Sequence, residues 1–304
     1  MFKNVTIILT LFASLLCGAP THLDLTSVGF NSEVFFQTGA NGQCIAVTKK
    51  YDATKTLLKE KKALEYLAHT SYENFSAPQI LNISTERNLL TMTPAHGRQL
   101  SELIHNSDFE LLKRAVRKTA LSFSELHSKT NTYKKKVPNS YLKQQERIEE
   151  GVKLLTSRRV RKKFDRLKAA MEKETLAPAV IHGDPHPGNL FYDDQNDQLI
   201  MIDLVSMAPS LQRDRGGPLA RDAIYARNYI KLEAEYCGLT KAQIAELMEI
   251  FDTNYTVEIP TSTREFYDFF FYADMVHSFH TFESDEKALN EQAQFFYKTS
   301  LKSL

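Results

Sequence analysis

The strongest chemical signal in this 304-residue sequence is a polar turn enclosed by two short apolar strands. Residues 180–191 carry Asp184 and, five positions later, Asn189, and residues 199–203 end on a second carboxylate, Asp203. Phosphoryl transfer needs such a set, because one carboxylate orients a hydroxyl nucleophile while hard oxygen ligands hold Mg²⁺ against the phosphates. The Asp-x-x-x-x-Asn spacing is also that of a kinase catalytic loop. A polar turn with a purely structural role would not account for both Asn189 and Asp203.

The same segment resembles the Brenner-type signature of the aminoglycoside phosphotransferase and choline kinase-like superfamily. The resemblance rests on His182-Gly183-Asp184-x-His186-x-x-Asn189 followed by Ile202-Asp203. It implies an α+β, bilobal protein-kinase-like fold, with a small β-rich N-lobe and a large, mainly helical C-lobe. It also implies that Asp184 is the catalytic base and that Asn189 and Asp203 are Mg²⁺ ligands. Leu204-Val205 follows Asp203 where Phe-Gly is typical, a departure that concerns gating more than catalysis.

Several neighbouring residues are expected to support this loop. His182 and His186 flank the proposed base and are predicted to restrain the loop through hydrogen bonds, since hard oxygen neighbours suit Mg²⁺ better than zinc. The resemblance implies that Asp222 supports the loop that carries the catalytic residues. His127 ends a helix in a Leu-His pair that matches the family, and we expect it to pack rather than to catalyse.

A kinase-like fold also needs a strand lysine for the nucleotide phosphates and a helix glutamate that holds this lysine. We predict Lys49, at the end of a strand over residues 45–50, and Glu60 for these roles. Lys50 and Glu65 are the neighbouring alternatives. Lys49 and Lys50 face opposite sides of a strand, so only one of them can enter the cleft.

Two other segments resemble nucleotide-binding parts of the same family. Residues 27–33 contain one glycine and resemble its glycine-poor phosphate loop. Residues 89–97 resemble its hinge strand, where the backbone would pair with adenine near Met92 and Thr93.

A second kinase family shares part of the catalytic loop. Residues 185–189 read Pro-His-Pro-Gly-Asn and resemble the UbiB-type atypical kinases. We find neither the Lys-x-Gly-Gln segment nor the Ala-rich loop of that family, so this resemblance ranks second.

Composition and periodicity bound the architecture. A hydrophobic content of 42% suffices for a core, and three cysteines without metal-ligand spacing exclude a disulfide framework and make a zinc site unexpected. Strand and helix patterns predict a hairpin over residues 34–50, a helix over 55–68, strands over 78–81 and 88–92, and a long helix over 109–128. We therefore place an N-lobe at residues 20–96 and a C-lobe at 97–304.

The first nineteen residues resemble a secretory signal peptide. Lys3 precedes an uncharged stretch over residues 5–17, and Gly18-Ala19 supplies small residues, although Pro20 would hinder cleavage after Ala19. A buried strand or helix is the alternative. We predict export or membrane association through residues 1–19, and otherwise a cytoplasmic location.

The net charge of +1 conceals a strong local asymmetry. Residues 129–173 contain fifteen Lys and Arg against five Asp and Glu, a net charge of +10. Such a segment could meet an anionic partner or a membrane surface, or form a solvated pair of helices. No nucleic acid is expected, because the segment shows no aromatic interleaving that suggests base stacking.

The leading prediction is an ATP-dependent phosphotransferase that uses Mg²⁺-ATP and an unidentified hydroxyl-bearing small molecule. The rivals are a pseudokinase or scaffold, favoured by the single-glycine loop and the signal-like N-terminus, and an exported protein kinase. Residues 265–286 combine aromatic and acidic side chains, which could hold a cationic acceptor or form a core helix.

Overall fold

The structure is a computed structural model that describes residues 23–28, 32–106, 108–130, 158–171, 178–211, 217–282 and 291–304. For residues 23–28 it describes the backbone alone. The predicted leader at residues 1–19, and residues 131–157 of the basic segment, lie outside the described residues.

Strands concentrate in the first part of the chain and helices in the second, which confirms the predicted α+β class. The strands are β1 (Leu23–Val28), β2 (Ser32–Thr38), β3 (Cys44–Tyr51), β4 (Phe75–Ser76), β5 (Ile80–Ser84), β6 (Leu89–Met92), β7 (Arg98–Gln99), β8 (Pro178–Ala179), β9 (Leu190–Asp193), β10 (Gln198–Met201) and β11 (Gly217–Pro218). The helices are α1 (Thr54–Ala68), α2 (Leu100–His105), α3 (Phe109–Thr130), α4 (Arg158–Met171), α5 (Leu219–Tyr236), α6 (Lys241–Asn254), α7 (Thr261–Phe282) and α8 (Glu291–Ser303).

An antiparallel five-stranded sheet forms the N-terminal part of the fold, in the order β1-β2-β3-β6-β5. The predicted hairpin is confirmed, since β2 and β3 pair from Ser32 opposite Tyr51 to Thr38 opposite Cys44. β3 also pairs with β6, so that it is the central strand of the sheet. A lysine on β3 is therefore held by strands on both sides.

Helix α1 packs between this sheet and the segment that follows β10. Its buried positions recur at helical spacing and include Leu57, Glu60 and Leu64. The helix contacts β3, β5 and β6 on one side and a short 3₁₀ turn, Leu204–Ser206, on the other. Glu60 therefore lies on the apolar face of α1, where a carboxylate needs a charged partner.

A second, four-stranded sheet joins the two parts of the chain in the order β4-β10-β9-β7. β4 runs parallel to β10, with Phe75 opposite Leu199, while β9 and β10 form an antiparallel pair. Because β4 belongs to the predicted N-lobe, the two lobes share this sheet. The division between residues 96 and 97 stays a prediction.

The helical part packs around two apolar clusters. The larger extends from the first sheet through α1 and α3 to α6. The smaller lies between α4, α5 and α7, and the six aromatic side chains of residues 266–272 are buried in it. These rings therefore belong to the core. This is the second of the two interpretations of residues 265–286, the first being a site for a cationic acceptor. None of the helices in the described ranges is long and apolar enough to cross a membrane.

Candidate active site

Asp184 and Asn189 lie on the loop that joins β8 to β9. The loop ends in a 3₁₀ turn, Pro187–Asn189, and the Asn189 Nδ2 donates to the backbone carbonyl of Asp184 at 3.1 Å. The N–H of Ile202 donates to the carbonyl of Asn189 at 3.0 Å. These bonds fasten the loop to the end of β10, directly before Asp203. The residues predicted for catalysis and metal binding thus belong to one hydrogen-bonded network.

Asp222, at the start of α5, anchors the beginning of this loop. Its fully buried carboxylate accepts the N–H groups of His182 at 2.7 Å and Gly183 at 2.8 Å. His127 Nε2 lies 3.3 Å from the same carboxylate, and His127 Nδ1 lies 2.9 Å from the Tyr255 hydroxyl. Burial on its own would raise the pKa of Asp222, but the hydrogen bonds and charge around it lower that pKa below its usual range. Asp222 is therefore an ionised anchor at neutral pH.

Gly183 is required by the backbone at the first turn of the loop. Its φ of +86° lies in the region that side chains disfavour. A Cβ at this position would lie 2.7 Å from the carbonyl oxygen of Ser206, so the two segments could not approach as closely. The Arg221 guanidinium donates to the Gly183 carbonyl at 3.1 Å and fixes the same peptide from the other side.

The two histidines that flank Asp184 hydrogen-bond within the loop. His182 Nδ1 accepts the N–H of Asp184 at 3.3 Å, and burial lowers the pKa of His182, which leaves the ring neutral. His186 Nδ1 accepts the N–H of Gly188 at 3.1 Å, so its Nε2 faces Asp184 at 4.0 Å from Oδ2. His182 thus restrains the backbone of the proposed base, and His186 restrains the turn that follows it.

Lys49 connects the first sheet to the catalytic segment through two carboxylates. Its Nζ lies 3.0 and 3.2 Å from the two oxygens of Glu60 and 3.3 Å from Oδ1 of Asp203. Burial on its own would lower the pKa of Lys49, but the charges of Glu60 and Asp203 raise it above its usual range. For Asp203, burial would raise the pKa, and the charge of Lys49 lowers it instead. Lys49 and Asp203 are therefore both charged at neutral pH.

The alternatives to Lys49 and Glu60 lie elsewhere. Lys50 pairs with Glu33 at 3.1 Å, and both of these side chains are about half exposed. Glu65 pairs with Lys61 at 2.9 Å on the outer face of α1. The strand alternation therefore directs Lys49, and not Lys50, toward the buried glutamate.

Tyr51 is a member of this cluster that sequence reasoning missed. Its hydroxyl donates a hydrogen bond to Glu60, and burial together with that carboxylate raises the pKa of Tyr51. The available signal was its position two residues after Lys49, which places both side chains on the same face of β3. The pairing of His127 with Asp222, across 95 positions of sequence, had no comparable local signal.

Asp203 follows β10 by two residues and has a left-handed backbone, with φ of +57°. Aspartate tolerates this region better than most side chains, and such conformations cluster at functional sites. The turn lets the carboxylate reach Lys49 while Leu204, which stands where phenylalanine is typical, is buried in the core.

The backbone around the predicted hinge is largely engaged in hydrogen bonds of the sheet. Met92 pairs within the sheet on both sides, and the N–H of Thr93 already donates to the carbonyl of Gln79 at 2.8 Å. Pro94 has no N–H. The first backbone N–H beyond β6 without a partner in the described part of the chain is that of Ala95. The carbonyl of Thr93 and the N–H of Ala95 are thus the backbone groups left for pairing just beyond β6, and the pairing of adenine near Met92 and Thr93 stays a prediction.

The oxygen atoms at the catalytic loop fit a hard divalent cation. Asn189 and Asp203 supply an amide and a carboxylate, and the Asp203 side chain is 40% exposed. Mg²⁺ is typically held by one or two protein oxygens together with substrate phosphates and water. Within the described ranges no three His, Cys, Asp or Glu side chains converge on a metal position.

Solved structures share this architecture at low sequence identity. A choline/ethanolamine kinase family protein from Mesorhizobium loti is 11% identical, with a TM-score of 0.60 over 96% of this chain and 89% of its own. A choline kinase from Streptococcus pneumoniae is 14% identical, with a TM-score of 0.55 over 91% of both chains. APH(2'')-IIa in complex with gentamicin is 14% identical, with a TM-score of 0.55 over 93% of this chain and 90% of its own. These likenesses confirm the predicted bilobal kinase-like fold.

Sequence comparison identifies the family. No curated protein sequence matches the chain significantly. The model of the phosphotransferase enzyme family, however, matches residues 25–209, which include every residue discussed above from Lys49 to Asp203. Because this match covers more than half of the 304 residues, the chain belongs to the phosphotransferase enzyme family.

Proposed function

We propose that this protein transfers the γ-phosphoryl group of Mg²⁺-ATP to a hydroxyl group of a small molecule. The observation that carries the proposal is the contact of Lys49 with both Glu60 and Asp203, because it joins the predicted phosphate-binding lysine to the predicted metal ligand. The structural neighbours add support, since one of them is a ternary complex of APH(2'')-IIa with streptomycin and ATP, at 15% identity and a TM-score of 0.52.

The residues divide the chemistry between them. Asp184 accepts the proton of the acceptor hydroxyl while the oxygen of that hydroxyl bonds to the γ-phosphorus. The bond between the γ-phosphorus and the oxygen of the β-phosphate breaks, which releases ADP. Lys49 contacts the nucleotide phosphates, and Glu60 holds it in place. The carbonyl of Thr93 and the N–H of Ala95 pair with adenine. Mg²⁺, when bound by Asn189 and Asp203, neutralises charge on the phosphates.

A thermal-shift titration with Mg²⁺-ATP tests nucleotide binding. We expect Mg²⁺-ATP at about 100 times its Kd to stabilise the wild type by about 2.7 kcal/mol, a shift of several degrees in Tm. Asp203→Asn removes a carboxylate ligand of the metal, and we expect it to lose most of the Mg²⁺-dependent part of this shift.

Asp194→Asn is the matched control for that titration, because Asp194 is exposed in the turn between β9 and β10 and carries the same chemical group. It should behave as the wild type does. A wild type that Mg²⁺-ATP does not stabilise would contradict the proposal and favour a scaffold that retains the fold.

The Glu60→Gln variant tests how Lys49 is held. The substitution keeps the size of the side chain but removes the charge that binds Lys49, and hydrogen bonds to charged groups contribute about 1.5–3 kcal/mol. We expect kcat/KM for ATP to fall about 10- to 100-fold. Steady-state kinetics at varied ATP concentration measure this change.

Glu65→Gln provides the comparison on the same helix. Its pair with Lys61 is on the surface, where such pairs contribute about 0–1 kcal/mol, so kcat/KM should stay close to the wild-type value. Equal losses of kcat/KM in the two variants would show that activity depends on the total charge of α1 and not on the contact between Glu60 and Lys49. That result would contradict the assigned role of Glu60.

A further inference from the structure

Helix α4 (Arg158–Met171) concentrates positive charge on the surface of the C-lobe. It holds seven Lys and Arg and one Asp among its 14 residues. Phe164 and Leu167 are buried, and the Phe164 ring lies 6.5 Å from that of Phe266 and 6.1 Å from that of Phe269 in α7. The apolar face thus attaches the helix to the core and fixes the direction of the opposite face.

Four cationic side chains lie on that opposite face, which we call the basic face: Arg158, Arg159, Lys162 and Arg166. At about 100° per residue they fall within an arc of roughly 100°, away from Phe164 and Leu167. All four are exposed, and none forms a hydrogen bond or an ion pair within the described part of the chain. Asp165 is the one acidic residue within α4, so the helix itself is strongly positive.

We propose that the basic face docks on an anionic lipid surface. Stable protein–protein interfaces are centred on buried aromatic or apolar anchors, and the outer side of α4 presents none between its cations. Single-stranded nucleic acids are held by stacking on aromatic rings, which this face also lacks. A charged lipid leaflet requires neither anchors nor a shaped pocket, because it attracts juxtaposed Lys and Arg side chains through its surface potential.

A second feature of the sequence suits the same partner. Residues 5–17 carry no charged side chain and are predominantly apolar. Membrane attachment is stable when two weak signals combine, for example one apolar chain and one polybasic patch. The basic face supplies the electrostatic signal, and the uncharged sequence of residues 5–17 has the composition that an apolar signal needs. This proposal does not depend on the phosphotransfer reaction.

Flotation of the full-length protein with lipid vesicles tests the proposal. The probes are phosphatidylcholine vesicles with and without roughly 30 mol% phosphatidylserine. Each basic side chain near an anionic leaflet is worth about a fivefold change in affinity, so Arg158→Gln/Lys162→Gln/Arg166→Gln should bind the anionic vesicles about 100-fold more weakly. Raising the salt to about 0.5 M should release the wild type from the vesicles, because the Debye length is then only a few ångströms and the attraction between the charges is screened.

A matched triple variant separates local from net charge. Lys55, Lys62 and Arg87 are exposed on the N-lobe, so Lys55→Gln/Lys62→Gln/Arg87→Gln makes the same change in net charge away from α4. It should bind like the wild type, and both variants should melt at the wild-type temperature. Equal vesicle binding by the wild type and the α4 variant would overturn the proposal, as would equal binding to neutral vesicles. Tighter binding to DNA or polyglutamate than to anionic vesicles would also overturn it.

Discussion

Replacing Asp184 by Asn should lower kcat by about 10²- to 10⁴-fold, the range that a positioned general base contributes. The amide cannot accept the proton of an attacking hydroxyl. The loop itself should persist, because Asn189 and His182 contact the backbone of Asp184 and not its carboxylate. The measurement is the kcat for transfer from ATP to an acceptor found by screening hydroxyl compounds.

The KM for ATP separates this effect from a loss of nucleotide binding. The carboxylate of Asp184 makes no hydrogen bond to Lys49, Asn189 or Asp203 in the described part of the chain. We therefore expect the variant to bind Mg²⁺-ATP within about threefold of the wild type, whereas Asp203→Asn should lose that binding. A variant that keeps wild-type kcat would show that Asp184 is not the base. One that loses ATP binding and kcat together would assign Asp184 to the nucleotide site.

The catalytic loop was predictable because its chemistry is local. Asp184 and Asn189 lie five positions apart, and the strands around them are short apolar runs. Lys49 and Glu60 were predictable only as pairs of candidates, since the end of β3 carries two adjacent lysines and α1 carries two glutamates. Packing decided between them, because only the buried face of α1 directs a carboxylate toward β3.

Other features depended on contacts between distant segments. The parallel pairing of β4 with β10 joins residues 75–76 to 199–200. A strand of two residues is too short for a local sequence pattern to predict this pairing. The engagement of the Thr93 N–H by Gln79 follows from the register of β5 and β6, which a bulge alters. Sequence periodicity reports which face of an element is buried, but it does not report which element covers that face.

Asp222 shows why such distant contacts matter for stability, and Asp222→Ala is expected to lower the free energy of unfolding by about 3–5 kcal/mol. The substitution leaves the N–H groups of His182 and Gly183 buried without an acceptor, and it removes the partner of His127 Nε2. kcat should fall as well, because the start of the catalytic loop loses its anchor. Urea unfolding and steady-state kinetics measure the two effects.

Asp252→Ala is a demanding control, because Asp252 also pairs with two side chains, Arg227 at 2.9 Å and Arg264 at 3.0 Å. These pairs are partly exposed, so their loss should cost about 1 kcal/mol or less and leave kcat unchanged. A similar loss of stability in the two variants would contradict the special role of the Asp222 anchor.

The dependence of stability on pH tests whether the charge of Asp222 is the source of this stability. Since the folded protein holds the pKa of Asp222 below its usual value of about 3.9, the ionised side chain stabilises the fold at every pH above that value. The contribution declines as the pH falls through the folded pKa. The difference in unfolding free energy between wild type and Asp222→Ala should therefore shrink as the pH falls below about 4. A difference that stays constant into stronger acid would mean that the carboxylate acts by packing and not by its charge.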